Sequence, residues 1–440
     1  MSTNGGLNVA DLRKQALSVR LFWQSVTIAL LVLGYAGYYL CRSDLSVTLP
    51  MISAELASRG MDRADARLRL GSIASLGVLA YALAKFAGGT MADFFGGRRN
   101  FLTGMGGSVV FTFLFALSGG FVPVMTLAWF ANRAIQATGW AGMVKIASRW
   151  FSRSTYGTVM AVLSLSYLFG DAAARKFMAV LIGWGFGWRE VFWTAGGTLL
   201  AIWALTFFLL KETPLEIGEA EPDINPANLF GIEGEKPVPS GLRQLWLPML
   251  SSREFRLACL LSLGLTLVRE TFNLWTPTYF TQVVGFSAAE AAGKSALFPF
   301  FGGISVIIVG ILSDRLGGAS RALIMFAGLV ASGAALMTLA LVNFEKLSAW
   351  PVALVALIAF LLIGPYSFLG GAIAMDFGGR QGSATASGVI DGVGYLGGVL
   401  AGDSIARLAT AFGWAGAFMA LSGVCFVSSI AALRYALRRK

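Results

Sequence analysis

Apolar stretches of about 20 residues recur along this chain, each long enough to cross a bilayer as a helix. Twelve candidates can be drawn, at 24–50, 69–92, 100–119, 122–147, 157–182, 189–210, 255–282, 294–313, 321–342, 350–374, 384–410 and 414–436. Hydrophobic residues make up 56% of the sequence and charged residues 13%, where soluble domains carry about 25% charge. Glycine accounts for 54 of the 440 residues, which suits helices whose backbones pack closely in lipid. The expected fold class is therefore an all-α polytopic membrane protein with twelve transmembrane helices, and the lipid bilayer is its first partner.

The remaining composition removes several function classes. The formal net charge is +11, but the basic residues sit mostly in short loops between apolar runs. There they read as topogenic charge, and no nucleic-acid partner is expected. Histidine is absent. That excludes Ser-His-Asp and Cys-His nucleophile systems, HExxH zinc sites and histidine proton relays. The three cysteines, Cys41, Cys259 and Cys425, are far apart in or beside apolar stretches. They suggest neither a disulfide frame nor a metal knuckle. Glycine-rich FAGGTMADFFGGRR has no strand before it and no GxxxxGKS/T, so it gives no support to an ATP site. It fits a tight turn joined to an Asp–Arg clamp, with Asp93, Arg98 and Asp314 as gating or structural residues. No catalytic residue, metal or cofactor is expected. The polar start MSTNGGLNVADLRKQ runs into the first apolar segment without a cleavage site, so no signal peptide is expected.

The chain divides into an N-terminal tail (1–21), a six-helix bundle (22–210), a linker (211–254), a second six-helix bundle (255–436) and a C-terminal tail (437–440). The linker opens with acid- and proline-rich KETPLEIGEAEPDINPANLFG and closes with SGLRQLWLPMLSSREFR. The closing stretch is predicted to lie on the membrane surface as an amphipathic helix. Lys and Arg concentrate at both termini and in the even-to-odd loops, for example Arg98, Arg99, Arg149, Arg153 and Arg315. Positive-inside then puts both termini in the cytoplasm of a multi-pass inner-membrane protein.

The two bundles repeat each other. YYLCRSDLSVTLP (38–50) answers LTLVRETFNLWTP (265–277), aligning Arg42 with Arg269 and Pro50 with Pro277. GTMADFFGGRR answers GILSDRLGGASR, aligning Asp93 with Asp314, and GDAAAR (170–175) answers GDSIAR (402–407). A six-plus-six duplication implies a substrate site between the halves, near the bilayer midplane.

Charges inside spans cost several kcal/mol by insertion scales, so each calls for a reason. Arg42 lies deep in span 1 and shares a helix face with Tyr35 and Tyr39 by i, i+4, i+7 spacing. Arg269 is equally interior in span 7. Two guanidiniums facing one cavity would suit a doubly charged anion with several oxygens, gripped through forked hydrogen bonds. The plainer reading pairs them with the neighbouring acids Asp44 and Glu270. Lys85, in span 2, is either a third cationic contact or half of an ion pair. Asp171/Arg175 and Asp403/Arg407, each at i, i+4, read as internal ion pairs. Asp391, in span 11, is a candidate for facing the cavity and setting selectivity.

The duplicated spans with GGTMADFFGGRR between spans 2 and 3, and NRAIQATG carrying Arg133 and Gln136 in span 4, resemble the major facilitator superfamily. Within it, GYAGYYLCR (34–42), YALAKF (81–86), VRETFNLWTPTYF (268–280) and FLLIGPYSFLGG…VGYLGG (360–398) look like the organophosphate:phosphate antiporter family. The resemblance covers nearly the whole chain outside the linker. It implies two pseudo-symmetric six-helix bundles and rocker-switch exchange of a phosphate ester for inorganic phosphate, by a monomer. It also implies phosphate-gripping arginines at Arg42 and Arg269, with Tyr35, Tyr39, Lys85 and Tyr395 as further substrate contacts. The departures are Ser166, where glycerol-3-phosphate members carry a histidine, the lack of an acid near Pro299, Ser43 in place of a basic residue, and Glu270. They point away from glycerol-3-phosphate, and GDSIARL and FGWAGAF lean towards the hexose-phosphate branch. A proton-coupled organic-anion symporter and a sugar-phosphate sensor on the same fold remain as alternatives.

Overall fold

The computed structural model describes residues 9–226, 228–286, 288–318 and 320–438. Parts of both expected tails therefore lie outside the described residues, as does the side chain of Asp403. The described residues form fourteen α-helices. The first six spans are α1 (Val9–Ser58), α2 (Arg63–Phe95), α3 (Gly97–Leu117), α4 (Val122–Trp150), α5 (Tyr156–Gly183) and α6 (Trp188–Leu209). Short α7 (Leu242–Ser251) ends the linker. The second half holds α8 (Arg253–Tyr279), short α9 (Ala288–Ser295), α10 (Leu297–Leu316), α11 (Ser320–Leu341), α12 (Trp350–Ser367), α13 (Ala374–Leu400) and α14 (Asp403–Arg438).

All twelve expected spans fall on helix, but two boundaries are hidden inside helical runs. The backbone leaves the helix at Gly379 in α13 and at Gly413 in α14. Span 10 is thus α12 with the start of α13, span 11 is the rest of α13 with the start of α14, and span 12 is the remainder. α1 also continues through Pro50 to Ser58, beyond the expected end at residue 50. The repeated glycines after Asp93 and Asp314 make equivalent turns. Gly96 (φ 94°) and Gly317 (φ 83°) both adopt a backbone that disfavours any Cβ.

Each half has its own aromatic core. Tyr35, Tyr38, Phe101 and Trp140 interlock in the first. Phe272 stacks between Phe298 and Phe418 in the second, with interplanar angles of 17° and 6°. The halves meet closely at the face that carries the linker. Asp93, fully buried at the end of α2, accepts from Lys145 Nζ (2.8 Å) and from the Thr385 and Ala384 N–H groups of span 11 (2.7 and 3.3 Å). Its repeat partner Asp314 accepts from Gly157 N–H (2.9 Å) and Thr158 N–H (2.6 Å) in the first turn of α5. Each carboxylate thus meets free N–H groups and positive dipole near a helix start in the other half. Glycines permit the approach: a Cβ on Gly89 would sit 2.5 Å from Ala384 O, and one on Gly310 2.8 Å from Gly157 O.

The linker lies across this closed face. Glu212 accepts from Gly97 N–H (2.9 Å) and Arg98 N–H (2.6 Å), capping α3. Glu221 bridges the halves, taking Arg149 of α4 at 2.6 Å and Arg380 of span 11 at 2.9 Å. Leu229 N–H reaches Phe377 O (2.9 Å), and Lys145 also donates to Pro237 O (3.0 Å). α7 forms where an amphipathic helix is expected, burying Leu245 and Met249.

Candidate functional site

Above the closed face lies a cavity of about 420 Å³ between the halves. Tyr35, Tyr39, Tyr81 and Lys85 line it from the first half, and Arg269, Glu270, Tyr366, Asp391 and Tyr395 from the second. Asp171 and Arg175 also line it, and with side chains 36% and 51% exposed they mark its open rim. The cavity therefore opens to the face opposite the linker.

Arg42 is positioned by a break in α1. Cys41 has φ −93°, ψ 17°, outside helical geometry. Four residues on, the Leu45 N–H donates to Asp44 Oδ1 (2.7 Å). The Cys41 carbonyl accepts instead from Gln136 Nε2 (2.9 Å) and Asn132 Nδ2 (3.3 Å) of α4. Asp44 therefore shapes the helix and does not pair with Arg42. Gln136 Oε1 accepts from Arg42 Nε (3.1 Å) and from Arg133 Nη1 (3.0 Å), so one amide holds two guanidiniums. Arg42 Nη1 donates to Tyr39 Oη (3.1 Å), while its Nη2 is buried without a partner. Among the described residues, neither Arg42 nor Arg133 has a carboxylate partner.

Aromatic faces cover these cations. Tyr81 lies 4.6 Å from the Arg42 guanidinium carbon and 4.8 Å from that of Arg133. In the repeat, Tyr366 lies 4.3 Å from that of Arg269. Such stacking favours the weakly hydrated guanidinium over an ammonium. Arg42 itself sits behind Tyr39 and Tyr81 and is not part of the wall, whereas Arg269 reaches the cavity directly. Lys85 does both things expected of it as alternatives. It lines the cavity and pairs with Asp391 across the halves at 2.8 Å. Tyr395 stacks edge-on against Tyr81, closing the wall between spans 2 and 11. Arg269 takes the plainer expectation and binds Glu270 Oε1 through Nε (2.9 Å) and Nη2.

Two expectations meet a different arrangement. Ser166 is buried, donates to Leu163 O and does not reach the cavity; Ser164, two residues earlier, lines it. Arg98 does not clamp Asp93. Its guanidinium donates to Phe207 O on α6, because α3 begins at Gly97 and turns that side chain outward, and Lys145 takes the acid instead. The Asp171/Arg175 pair does form, with Arg175 Nε 3.1 and 3.0 Å from the two carboxylate oxygens, and Ser43 also donates to Asp171. Sequence reasoning missed Tyr81, Tyr366, Trp140 and Lys145. Tyr81 stands one helical turn before Lys85, which was the available signal. Trp140 Nε1 donates to Gly370 O (3.0 Å) across the halves. Gly370 lies in a π turn, Leu369–Ile373, whose wider ring leaves that carbonyl available.

A bilobal helical protein with a charged central cavity, sealed at one face by two acid-to-helix contacts, is a membrane carrier in design. The Major Facilitator Superfamily model matches residues 31–402, and the chain belongs to that family. It is 26% identical over 426 residues to a probable hexose phosphate transport protein of Chlamydia trachomatis, covering 93% of this chain and 90% of the relative. It is 25% identical over 413 residues to the glycerol-3-phosphate transporter of Bacillus subtilis, covering 90% and 89%. These are relatives of the kind that the organophosphate:phosphate antiporter resemblance predicts. The fucose:proton symporter FucP of Escherichia coli shares the fold, with a TM-score of 0.68 at 14% identity over 94% of this chain and 98% of that one.

Proposed function

We propose that this chain is a secondary carrier that exchanges an organic phosphate ester, of the sugar-phosphate kind, for inorganic phosphate by alternating access. The carrying observation is the excess of cation around one cavity. Lys85 and Arg269 line it and Arg42 and Arg133 lie behind its Tyr81 wall, against the acids Asp391 and Glu270, while Asp171 and Arg175 cancel each other at the rim. A phosphate dianion complements that excess, and its oxygens match guanidinium forks. Tyr35, Tyr39 and Tyr395 line the same space and supply hydroxyls and ring faces for the organic part. Orphaned Arg42 Nη2, sealed behind Tyr39 and Tyr81, is a donor that an entering anion would satisfy once those rings turn. The relatives named as hexose phosphate and glycerol-3-phosphate transporters support the same substrate class.

The Lys/Arg bias orients the linker face to the cytoplasm of an inner membrane. The arrangement is then the outward-facing one, with the cytoplasmic gate closed by Asp93, Asp314 and the linker. An anion joining Arg269 of one half to Arg42 of the other draws the halves together, and it drives crossing only if it favours the occluded state over both open ones. The test is binding to the purified carrier, read as thermal stabilisation by inorganic phosphate, a hexose phosphate and the unphosphorylated hexose. Stabilisation by the first two and not the third is expected, and it disappears in Arg269→Ala. Stabilisation by the free hexose alone overturns the reading.

A further inference from the structure

The Arg269 fork, offered above as half of the phosphate grip, is already filled by a carboxylate from the same helix. Arg269 Nε and Nη2 both donate to Glu270 Oε1, and the two side chains are 13% and 30% exposed at the cavity wall. Adjacent residues on a helix point about 100° apart, so Glu270 has to curl back to make this contact. Its stem is steadied by span 11, where a Cβ on Gly398 would lie 3.2 Å from Glu270 Cγ. The repeat lacks the device: Ser43 follows Arg42, and Arg42 is held by the neutral groups of Gln136 and Tyr39. Among the described residues, Glu270 is thus the one acid that pairs with a member of the arginine pair. Asn273, one turn along α8, also lines the cavity and offers a neutral donor to the carboxylate once it is released.

We infer that Glu270 is a resident counter-anion, competing with substrate for Arg269 and standing in for it when the carrier is empty. This rests on the anion-exchange reading. A phosphate oxyanion entering the cavity displaces the carboxylate, so binding is weaker than the arginines alone would give. When no anion is present, Glu270 neutralises the second-half cation. The empty carrier then keeps a path for crossing, and the share of net transport relative to exchange is set by this one side chain. Asp391 with Lys85, and Asp171 with Arg175, are the other charge pairs facing the same space, and neither touches Arg269.

The experiment uses the full chain in proteoliposomes with inorganic phosphate as probe. Phosphate affinity and the ratio of net efflux to phosphate–phosphate exchange are measured for wild type, E270Q and D171N. E270Q should bind phosphate about tenfold more tightly, the scale of one charge-assisted hydrogen-bonding partner, and its net-efflux ratio should fall by a similar factor. D171N removes an equal charge from the rim and should gain much less. Equal gains in both variants mean that only the general field matters, and they overturn the inference. Unchanged or weaker phosphate binding in E270Q, with wild-type exchange intact, overturns it while leaving the carrier reading in place. Failure of wild type to bind phosphate or any phosphate ester overturns both. E270A gives the same readings should E270Q fail to reconstitute.

Discussion

Asp93→Ala should unlock the closed face. Asp93 and Lys145 have side chains 0% and 1% exposed and stand 2.8 Å apart. Breaking a buried ion pair by removing one partner costs about 3–5 kcal/mol. Lys145 keeps the carbonyls of Pro237 (3.0 Å) and Gln381 (3.4 Å), which puts the estimate at the lower end, about 3 kcal/mol. Lys145 lies in the same half as Asp93, so the cost falls on the closed arrangement because only there do the linker and span 11 seal the lysine from water. The Thr385 and Ala384 amides of the other half lose their acceptor in that arrangement as well. At 1.4 kcal/mol per decade, the opening equilibrium shifts about a hundredfold. The assay places a cysteine at Ser148, which meets Ser383 across the gate at 3.0 Å, in a background lacking Cys41, Cys259 and Cys425. Alkylation from the linker side by a membrane-impermeant maleimide should accelerate by roughly that factor. An unchanged rate in a folded variant would refute the assignment of Asp93 to the gate. Asp314→Ala should move the same way by less, since Arg321 retains Asp376 at 2.6 Å.

Arg42→Lys and Arg269→Lys should each lower apparent phosphate affinity by about tenfold or more, because an ammonium reproduces neither the planar fork nor the stacking on Tyr81 and Tyr366; near-normal exchange in either would sink the two-arginine grip. Glu221→Gln removes the linker carboxylate shared by Arg149 and Arg380, and it should raise linker-side reactivity at position 148 without abolishing ligand binding. With no histidine in the chain, affinity should rise with pH through the second pKa of the ester itself, about 6 for phosphate monoesters. Two esters differing by about one unit in that pKa should then show midpoints that differ likewise; a common midpoint would mean that a protein group titrates and would favour proton coupling.

Much of this architecture is legible in the sequence, because lipid demands long uninterrupted apolar helices and duplication leaves paired motifs. Arg269, Lys85, Asp391, Tyr35, Tyr39 and Tyr395 share a helix face with other marked residues or stand at repeat positions, and they meet around one cavity. Depth within a helix bundle is harder to read. Periodicity places Arg42 on the face of Tyr35 and Tyr39, but whether a ring lies in front of it depends on Tyr81 from another helix. Partner choice is also non-local. Asp93 is five residues from Arg98, yet it pairs with Lys145, and the identity of that lysine depends on how α4 packs. Gly379 and Gly413 break the helices inside the gaps expected between spans, at 375–383 and 411–413, and polar Asp376, Arg380 and Gln381 mark the first of them. Ser166 and Ser164 differ by about 200° around α5, so a two-residue offset decides which hydroxyl reaches the cavity.

The central claim is coupled exchange at an arginine-lined anion site, and trans-dependent efflux tests it most directly. Proteoliposomes loaded with labelled inorganic phosphate are diluted into media containing a hexose phosphate, inorganic phosphate, the unphosphorylated hexose or no anion, first with no ion gradient and then, in a parallel series, with a proton gradient imposed. Rapid efflux is expected only with the first two, at rates that fall together in Arg42→Lys and Arg269→Lys. Efflux that is equally fast into anion-free medium, or that responds to an imposed proton gradient and not to external phosphate, would contradict it.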